Sequence, residues 1–302
     1  MSTYKVTRRL QFIIQFINDM QYASKKSIVD YLEEKDFSIS ERTLERDFEN
    51  IKADFGIELS YDRAKNGYYI DEEKSLKVSS FFKFFELATL ADTFRDGLKN
   101  SNEIFDFVSF DDSKSFKGIN NLEPIIIAIK QGRDLSFTHC NYYKKTLNDY
   151  SITPLIIKEY LNRWYVIGVP NGTSEIRTFG IDRLSNIKMN KLSKLKKSKY
   201  KPQLKKFDNI IGLSFSDEAP QKIILKVTDG HLKYLESLPL HHSQQILKSD
   251  DNGFGLVCYN IIPNYEFTTQ LLKMSMEIEV LEPKEYRNHF KEVINNINNK
   301  YN

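Results

Sequence analysis

Residues 39–70 read ISERTLERDFENIKADFGIELSYDRAKNGYYI, and this stretch decides how the N-terminal part folds. Ser40 is placed to cap a helix, because its hydroxyl can accept from a first-turn amide that has no intrahelical partner. Leu44, Phe48, Ile51 and Phe55 then recur at 4-3-4 spacing and form one apolar stripe. Arg42, Thr43 and Arg46 fall on the opposite side near the helix N-terminus. That end carries partial positive charge and free N–H groups, so it suits phosphate. Gly56 stops the helix, and an Asn66-Gly67 turn is expected to close a hairpin between LSYDR and YYI. Upstream, Leu10, Ile13, Ile14 and Ile17 give a first helix its buried face. Ser24 can cap a second, SKKSIVDYLEEK, which carries Ile28 and Leu32. Helices, cap, basic face and wing together describe a winged helix-turn-helix.

Charge alone does not choose the partner. Residues 1–70 hold eleven lysines and arginines against twelve acids, and ordinary solvated surface is the less favoured alternative for Arg42 and Arg46. Duplex binding would depend on where the positive groups sit, with dimerisation doubling a modest single-copy affinity. Lys65 and Asn66, in the wing, are placed to reach an adjacent backbone or minor groove. The whole chain has 302 residues and a formal charge of +3, with a pI near 8.5. It has room for two or three domains. Aromatic residues make up 13% of it, which argues for a folded protein. No apolar run approaches a membrane span, and MSTYKVTRRL lacks a signal-peptide core. Cys140 and Cys258 lie far apart, so a cytoplasmic protein with two unpaired thiols is expected.

Further along, SLKVSSFFKFFELATLADTFRDGLKN is helical in pattern, with Phe81, Phe84/Phe85, Ala88 and Ala91/Asp92 roughly on one side. A polar interval around 100–121 follows, then a helix over Leu122–Gln131 that presents Ile125, Ile126 and Ile129 before Gly132. From Asp134 the period shifts toward two. LSFTHCNYY, DYSITPLIIK, NRWYVIGVP and EIRTFGIDRL are short strand-like runs separated by turns such as EYLNR and PNGTS, which predicts a small antiparallel barrel or sandwich. KLSKLKKSKYKPQLKK contains no acid; a solvated flexible linker is the default for such a run, and added phosphate contacts are the alternative. The remainder reads β-α-β-β-α-β with a final helix, a ferredoxin-like order.

RWYVIGV followed by EIRTFGIDRLSNI resembles the core of a WYL domain, the Trp-Tyr-Leu run being Trp164-Tyr165-Val166 here. LSFTHCNY and TPLIIK resemble that family's preceding strands. The helix with Arg42-Thr43 and Arg46-Asp47 resembles the winged helix commonly attached to WYL domains, and Val280-Leu281-Glu282-Pro283 matches the closing strand of their C-terminal extension. The resemblance implies an α+β multidomain chain: a winged helix-turn-helix at 1–72, a helical linker at 73–120, and an SH3/Sm-like β-barrel WYL domain at 121–192. A basic linker at 193–208 and a ferredoxin-like extension at 209–302 would complete it. It also implies an effector pocket of basic and aromatic groups, for which His139, Tyr142, Arg163, Tyr165, Arg177, Phe179 and Arg183 are the candidates. Trp164 reads better as core. The implied function is a sequence-specific transcriptional regulator, a homodimeric repressor or autoregulator bound to a double-stranded DNA operator through Ser40, Arg42, Thr43, Arg46, Lys65 and Asn66. A single-stranded nucleic-acid or nucleotide effector would tune it. The alternative is a nucleic-acid-sensing accessory subunit in phage defence.

Enzyme signals are weak. Gly253-Phe-Gly255 lacks a Rossmann context, and His241-His242 has neither Cys partners nor an HExxH arrangement. No catalytic residue, cofactor, metal or membrane association is expected.

Overall fold

The computed structural model describes residues 3–75, 78, 81–83, 85–87, 117–214, 218–250 and 253–302. The chain divides into two compact units, Met1–Asp112 and Ser113–Asn302. Most of the helix expected over 75–100, most of the polar interval after it and residues 251–252 of the later turn lie outside the described residues. Phe81 and Phe85, which are described, join the N-terminal core.

In the first unit, α1 (Thr3–Met20), α2 (Lys25–Glu34) and α3 (Glu41–Asn50) precede a hairpin of β1 (Leu59–Asp62) and β2 (Gly67–Ile70). Both caps form as their sequences require. The Ser24 hydroxyl accepts from the Ser27 amide at 3.1 Å, and the Ser40 hydroxyl from the Thr43 amide at 3.3 Å. Leu10, Ile13, Ile14 and Ile17 meet Ile28, Leu32, Leu44 and Ile51 in one core. After Asn50 the helix widens into a π turn, Ile51–Phe55, which carries the stripe on to Phe55 before Gly56 ends it at φ 65°.

The hairpin differs from the expected two-residue turn. Asp62 pairs with Gly67 across the strands, so the loop has four residues, Arg63 to Asn66. Asp62 drives this, since its Oδ1 accepts from the amides of Ala64 at 2.8 Å and Lys65 at 3.1 Å. Asn66 takes the left-handed conformation at φ 52°. Gly67 is there for space, because a Cβ would sit 2.7 Å from the Tyr22 carbonyl carbon, where Ala23 and Tyr68 form a bridge.

The second unit begins with α4 (Leu122–Gln131), stopped by Gly132 at φ 66°. Five antiparallel strands follow: β3 (Arg133–Asn141), β4 (Thr146–Tyr160), β5 (Arg163–Pro170), β6 (Arg177–Gly180) and β7 (Leu184–Leu192), in the order β6-β5-β4-β3-β7. The EYLNR turn between β4 and β5 has positive φ at both Leu161 and Asn162, the handedness that suits strand twist. The expected barrel is corrected here, because this sheet is open. Among the described residues, β6 pairs only with β5 and β7 only with β3. Closure is unnecessary because both faces are already covered. On one face, Ile125 and Ala128 of α4 pack on Leu135, Phe137, Ile152, Val166 and Phe179.

The lysine run covers the other face, which corrects the flexible-linker expectation. Lys197–Tyr200 and Lys206–Asn209 form 3-10 turns around a short helix, Lys201–Lys205. Tyr200 packs with Leu155 and Val169, and Phe207 with Ile167, Ile210 and Ile262. Lys197 Nζ donates to the Ile129 carbonyl at 2.6 Å, where a cation favours the negative end of α4. Two buried aromatics and a helix-terminal lysine convert this charged run into an ordered strap.

The chain continues through β8 (Gln221–Thr228), α5 (Asp229–Ser237), β9 (Gln245–Asp250), β10 (Phe254–Ile261), α6 (Tyr265–Lys273), β11 (Ile278–Glu282) and α7 (Lys284–Asn298). The strands form an antiparallel sheet of order β11-β8-β10-β9. Ile223, Leu225 and Val227 alternate along β8 to face Val257, Tyr259, Phe267 and Leu271. Among the described residues, no helix is long and apolar enough to cross a membrane.

The pair His241-His242 is structural. Both rings hydrogen-bond the Asp208 carbonyl through Nε2, at 2.9 and 2.7 Å. His241 Nδ1 accepts from the Ser243 amide at 3.2 Å, so both its nitrogens are used in the neutral form. Burial, with His242 adding to it, holds the His241 imidazole down at about 4. A folded value below the ordinary one means stability is fully present above about pH 6.5 and is lost as pH falls toward 4. Thermal unfolding followed by fluorescence of Trp164, the chain's one tryptophan, is expected to show Tm falling through that window. His241→Gln should flatten the fall; parallel curves would show that this imidazole does not carry it.

Candidate functional site

In the first unit, the side of α3 away from the core presents Arg42 and Arg46, both exposed and, among the described residues, without an acidic partner. Ser40 and Thr43 lie at its start, their hydroxyls 3.1 Å apart. Glu45, between the two arginines, pairs with Lys25 of α2. That contact draws the Glu45 carboxyl below its usual range and keeps its charge off the arginines. The candidate residues of the hairpin are less free. Lys65 Nζ lies 3.8 Å over the Tyr22 ring, and a hydrogen bond to the Tyr22 hydroxyl raises its pKa. Asn66 Oδ1 accepts from the Tyr61 hydroxyl.

Sequence reading missed what holds this face in place. Arg9 of α1, 1% exposed, meets Asp47 of α3, 0% exposed. Nε donates to Oδ2 at 2.6 Å and Nη2 to Oδ1 at 2.9 Å, a two-point contact that fixes orientation as well as distance. The signal was present, since Asp47 sits between Leu44 and Ile51 at 3-4 spacing, inside the apolar stripe.

In the second unit, β3, the turn after it, β5 and the 3-10 turn Ile181–Arg183 bring most of the candidate effector residues together. Arg163 Nη1 lies 3.5 Å from Asp182 Oδ2, and Arg183 Nε 3.8 Å from Asp182 Oδ1. The Arg183 guanidinium carbon sits 5.3 Å over the Tyr142 ring. Burial raises the Tyr165 hydroxyl pKa, while Arg163 and Arg183 pull against it. Burial also lowers the His139 imidazole, and the Arg183 charge adds to that. His139 Nε2 and Arg183 Nε are buried and lack a hydrogen-bond partner, which is uncommon for buried polar atoms.

Two candidates stand apart. Phe179 lies beneath the cluster in the core, 5.5 Å from the His139 ring and 4.9 Å from Tyr150. Arg177 is exposed at the other end of β6, opposite Gly168. Trp164 packs against the α4 side of the core, as the strand alternation requires. Asp182 lies between Arg163 and Arg183.

Gly180 leaves the space for Arg183. A Cβ there would come within 2.7 Å of Arg183 Nε and Nη2 and of Asp182 Oδ1. These are the ends of side chains, and the φ of –67° is ordinary. Gly180→Ala is therefore expected to shift global stability by less than about 1 kcal/mol while displacing the guanidinium from Tyr142. Denaturant midpoints together with Nε chemical shifts of the arginines would check this; an unmoved Arg183 would refute it. Among the described residues, no group of three or more His, Cys, Asp or Glu side chains could hold a metal ion.

The second unit thus holds an open five-stranded antiparallel sheet with a cluster of arginine, aspartate and aromatic side chains at the end of β6. Residues 120–189 match the WYL domain family, and this part of the chain is a WYL domain. No curated protein sequence matches the chain. Among solved structures it is similar to the proteasome accessory factor B/C (PafBC) of Arthrobacter aurescens, with a TM-score of 0.30 and 14% identity over 94% of this chain and 45% of that one. A protein described as CRISPR Cas-related is similar with a TM-score of 0.41 and 16% identity, over 97% of this chain and 83% of that one. The chain thus spans less than half the length of the accessory factor.

Proposed function

We propose that this chain is a cytoplasmic, non-enzymatic transcriptional regulator that binds duplex DNA through a winged helix-turn-helix at its N-terminus. The observation that carries this reading is the exposed, unneutralised Arg42–Arg46 face of α3, held by a buried ion pair and opened by a phosphate-compatible cap. α3 would enter the major groove, with Arg42, Thr43 and Arg46 nearest bases or phosphates. Lys65 and Asn66 would exchange their internal contacts for the adjacent backbone.

The cluster of His139, Tyr142, Arg163, Tyr165, Asp182 and Arg183 would take a nucleotide or short single-stranded nucleic acid. Two guanidiniums suit a phosphate, and Tyr142, beside the Arg183 guanidinium, offers an aromatic ring for a base. The four-stranded C-terminal sheet, whose order read from its own first strand is 4-1-3-2, supports a ferredoxin-like extension that would pair two copies. A two-fold dimer implies a pseudo-palindromic operator, and effector binding would shift the population of DNA-competent dimers.

Fluorescence anisotropy on the gene's own upstream DNA against scrambled DNA, across a salt series and with single-stranded competitor, tests this. Selective duplex binding that short single strands modulate is expected. Tight single-strand binding with equal, weak binding to both duplexes would overturn the regulator in favour of a sensing subunit.

A further inference from the structure

We infer that the lysine strap over the second unit's sheet is a sequence-independent contact surface for the phosphodiester backbone of duplex DNA. This rests on the reading that the chain binds duplex DNA. Residues 191–206 carry eight lysines and no acid, in a chain whose total is only +3, so the rest of the chain sums to –5. Positive charge is therefore concentrated in one stretch that runs from the end of β7 through the strap.

The strap's two sides do different work. Leu195, Tyr200, Leu204 and Phe207 face the sheet and are packed against Leu155, Ile167 and Val169. Lys191, Lys194, Lys196, Lys199, Lys201 and Lys205 are exposed and, among the described residues, have no acidic partner. These like charges, a few residues apart in the sequence, all stay exposed in the fold, an arrangement that gains from a polyanion.

The occupant follows from what the surface lacks. An anionic membrane surface would call for aromatic or bulky apolar groups beside the lysines, to insert at the interface. A single strand would call for exposed rings on which bases stack. Tyr200 and Phe207 are both buried against the sheet, and of the large apolar side chains in 191–206 only Leu192, 65% exposed, stands beside the lysines, so the strap offers charge with no ring for stacking and a single leucine for insertion. Such a surface fits a regular array of phosphates. It also supplies what residues 1–70, with eleven basic and twelve acidic groups, lack for the non-specific part of binding.

The experiment uses the full chain and scrambled duplex DNA. One variant carries Lys191, Lys194, Lys196, Lys199, Lys201 and Lys205 all replaced by Gln. A charge-matched control carries Gln at Lys222, Lys233, Lys273, Lys284, Lys291 and Lys300, which are also exposed. Each lysine–phosphate contact contributes about 0.9 to the slope of log affinity against log salt. The strap variant is expected to lower that slope by about 3 or more, and to weaken scrambled-duplex binding about tenfold or more at low salt. The control should stay close to the parent. Equal slopes in the two variants, or a change confined to single-stranded DNA, would overturn the inference. Failure of the regulator reading looks different. There the operator-to-scrambled ratio of the parent is one, whereas a failed strap leaves that ratio intact and the slope unmoved by the six substitutions.

Discussion

Asp47→Asn is expected to destabilise the N-terminal unit by about 3–5 kcal/mol, the usual penalty for leaving one member of a buried ion pair without its countercharge. The geometry makes the large value appropriate. Arg9 and Asp47 are almost wholly excluded from solvent and meet through two parallel contacts, so the guanidinium cannot turn to water when the carboxylate is gone. A small domain has about 5–15 kcal/mol in total, so such a loss would bring it near its unfolding threshold. Amide hydrogen exchange of α1, α2 and α3 across a urea series would measure it, because it reads this unit's helices separately from those of the second unit. Trp164, in the other unit, supplies an independent fluorescence transition that should not move. Replacing the pair together, Arg9→Met with Asp47→Leu, should recover most of the stability, since an apolar pair avoids the desolvation penalty. A loss below about 1 kcal/mol for Asp47→Asn would show that the pair is far better solvated than its burial implies.

The second large effect concerns binding with the fold preserved. Arg42→Ala combined with Arg46→Ala is expected to reduce operator affinity by about 100-fold or more, because a base contact by arginine is worth about 1–3 kcal/mol and two are removed. Both residues are exposed and unpaired among the described residues, so unfolding free energy should change by no more than about 0.5 kcal/mol. The operator-to-scrambled ratio is the informative quantity. Its collapse with unchanged circular dichroism would assign specificity to α3, and an unchanged ratio would sink the docking of α3 in a groove. The strap variant should behave in the opposite way, weakening both DNAs while leaving their ratio in place.

The local physics of the N-terminal unit was legible residue by residue. Ser24 and Ser40 are caps because their hydroxyls sit where first-turn amides lack partners, and Leu44, Ile51 and Gly56 mark a stripe and its end. The Trp164-Tyr165 alternation was equally readable, since neighbours on a strand point to opposite faces. The candidate effector cluster was legible in part. Its members were named from strand residues, yet Phe179 faces the core and Arg177 lies at the far end of β6. Chain order could not separate them, because the 3-10 turn at Ile181–Arg183 breaks the run and carries Asp182 and Arg183 back over Tyr142 and His139.

Sequence by itself determined the caps, stripes, strand alternation and the segregated lysines, all of which depend on neighbours within a few residues. Tertiary structure decided the rest. It made Arg9 and Asp47 partners across 38 positions, opened the sheet that a barrel would have closed, lengthened the wing loop through Asp62, and turned a lysine-rich run into a strap. Each outcome depended on which surfaces met and what they excluded from water. Burial makes a charged pair, an aromatic anchor or an orphaned imidazole nitrogen consequential, and burial is set by residues far away in the chain.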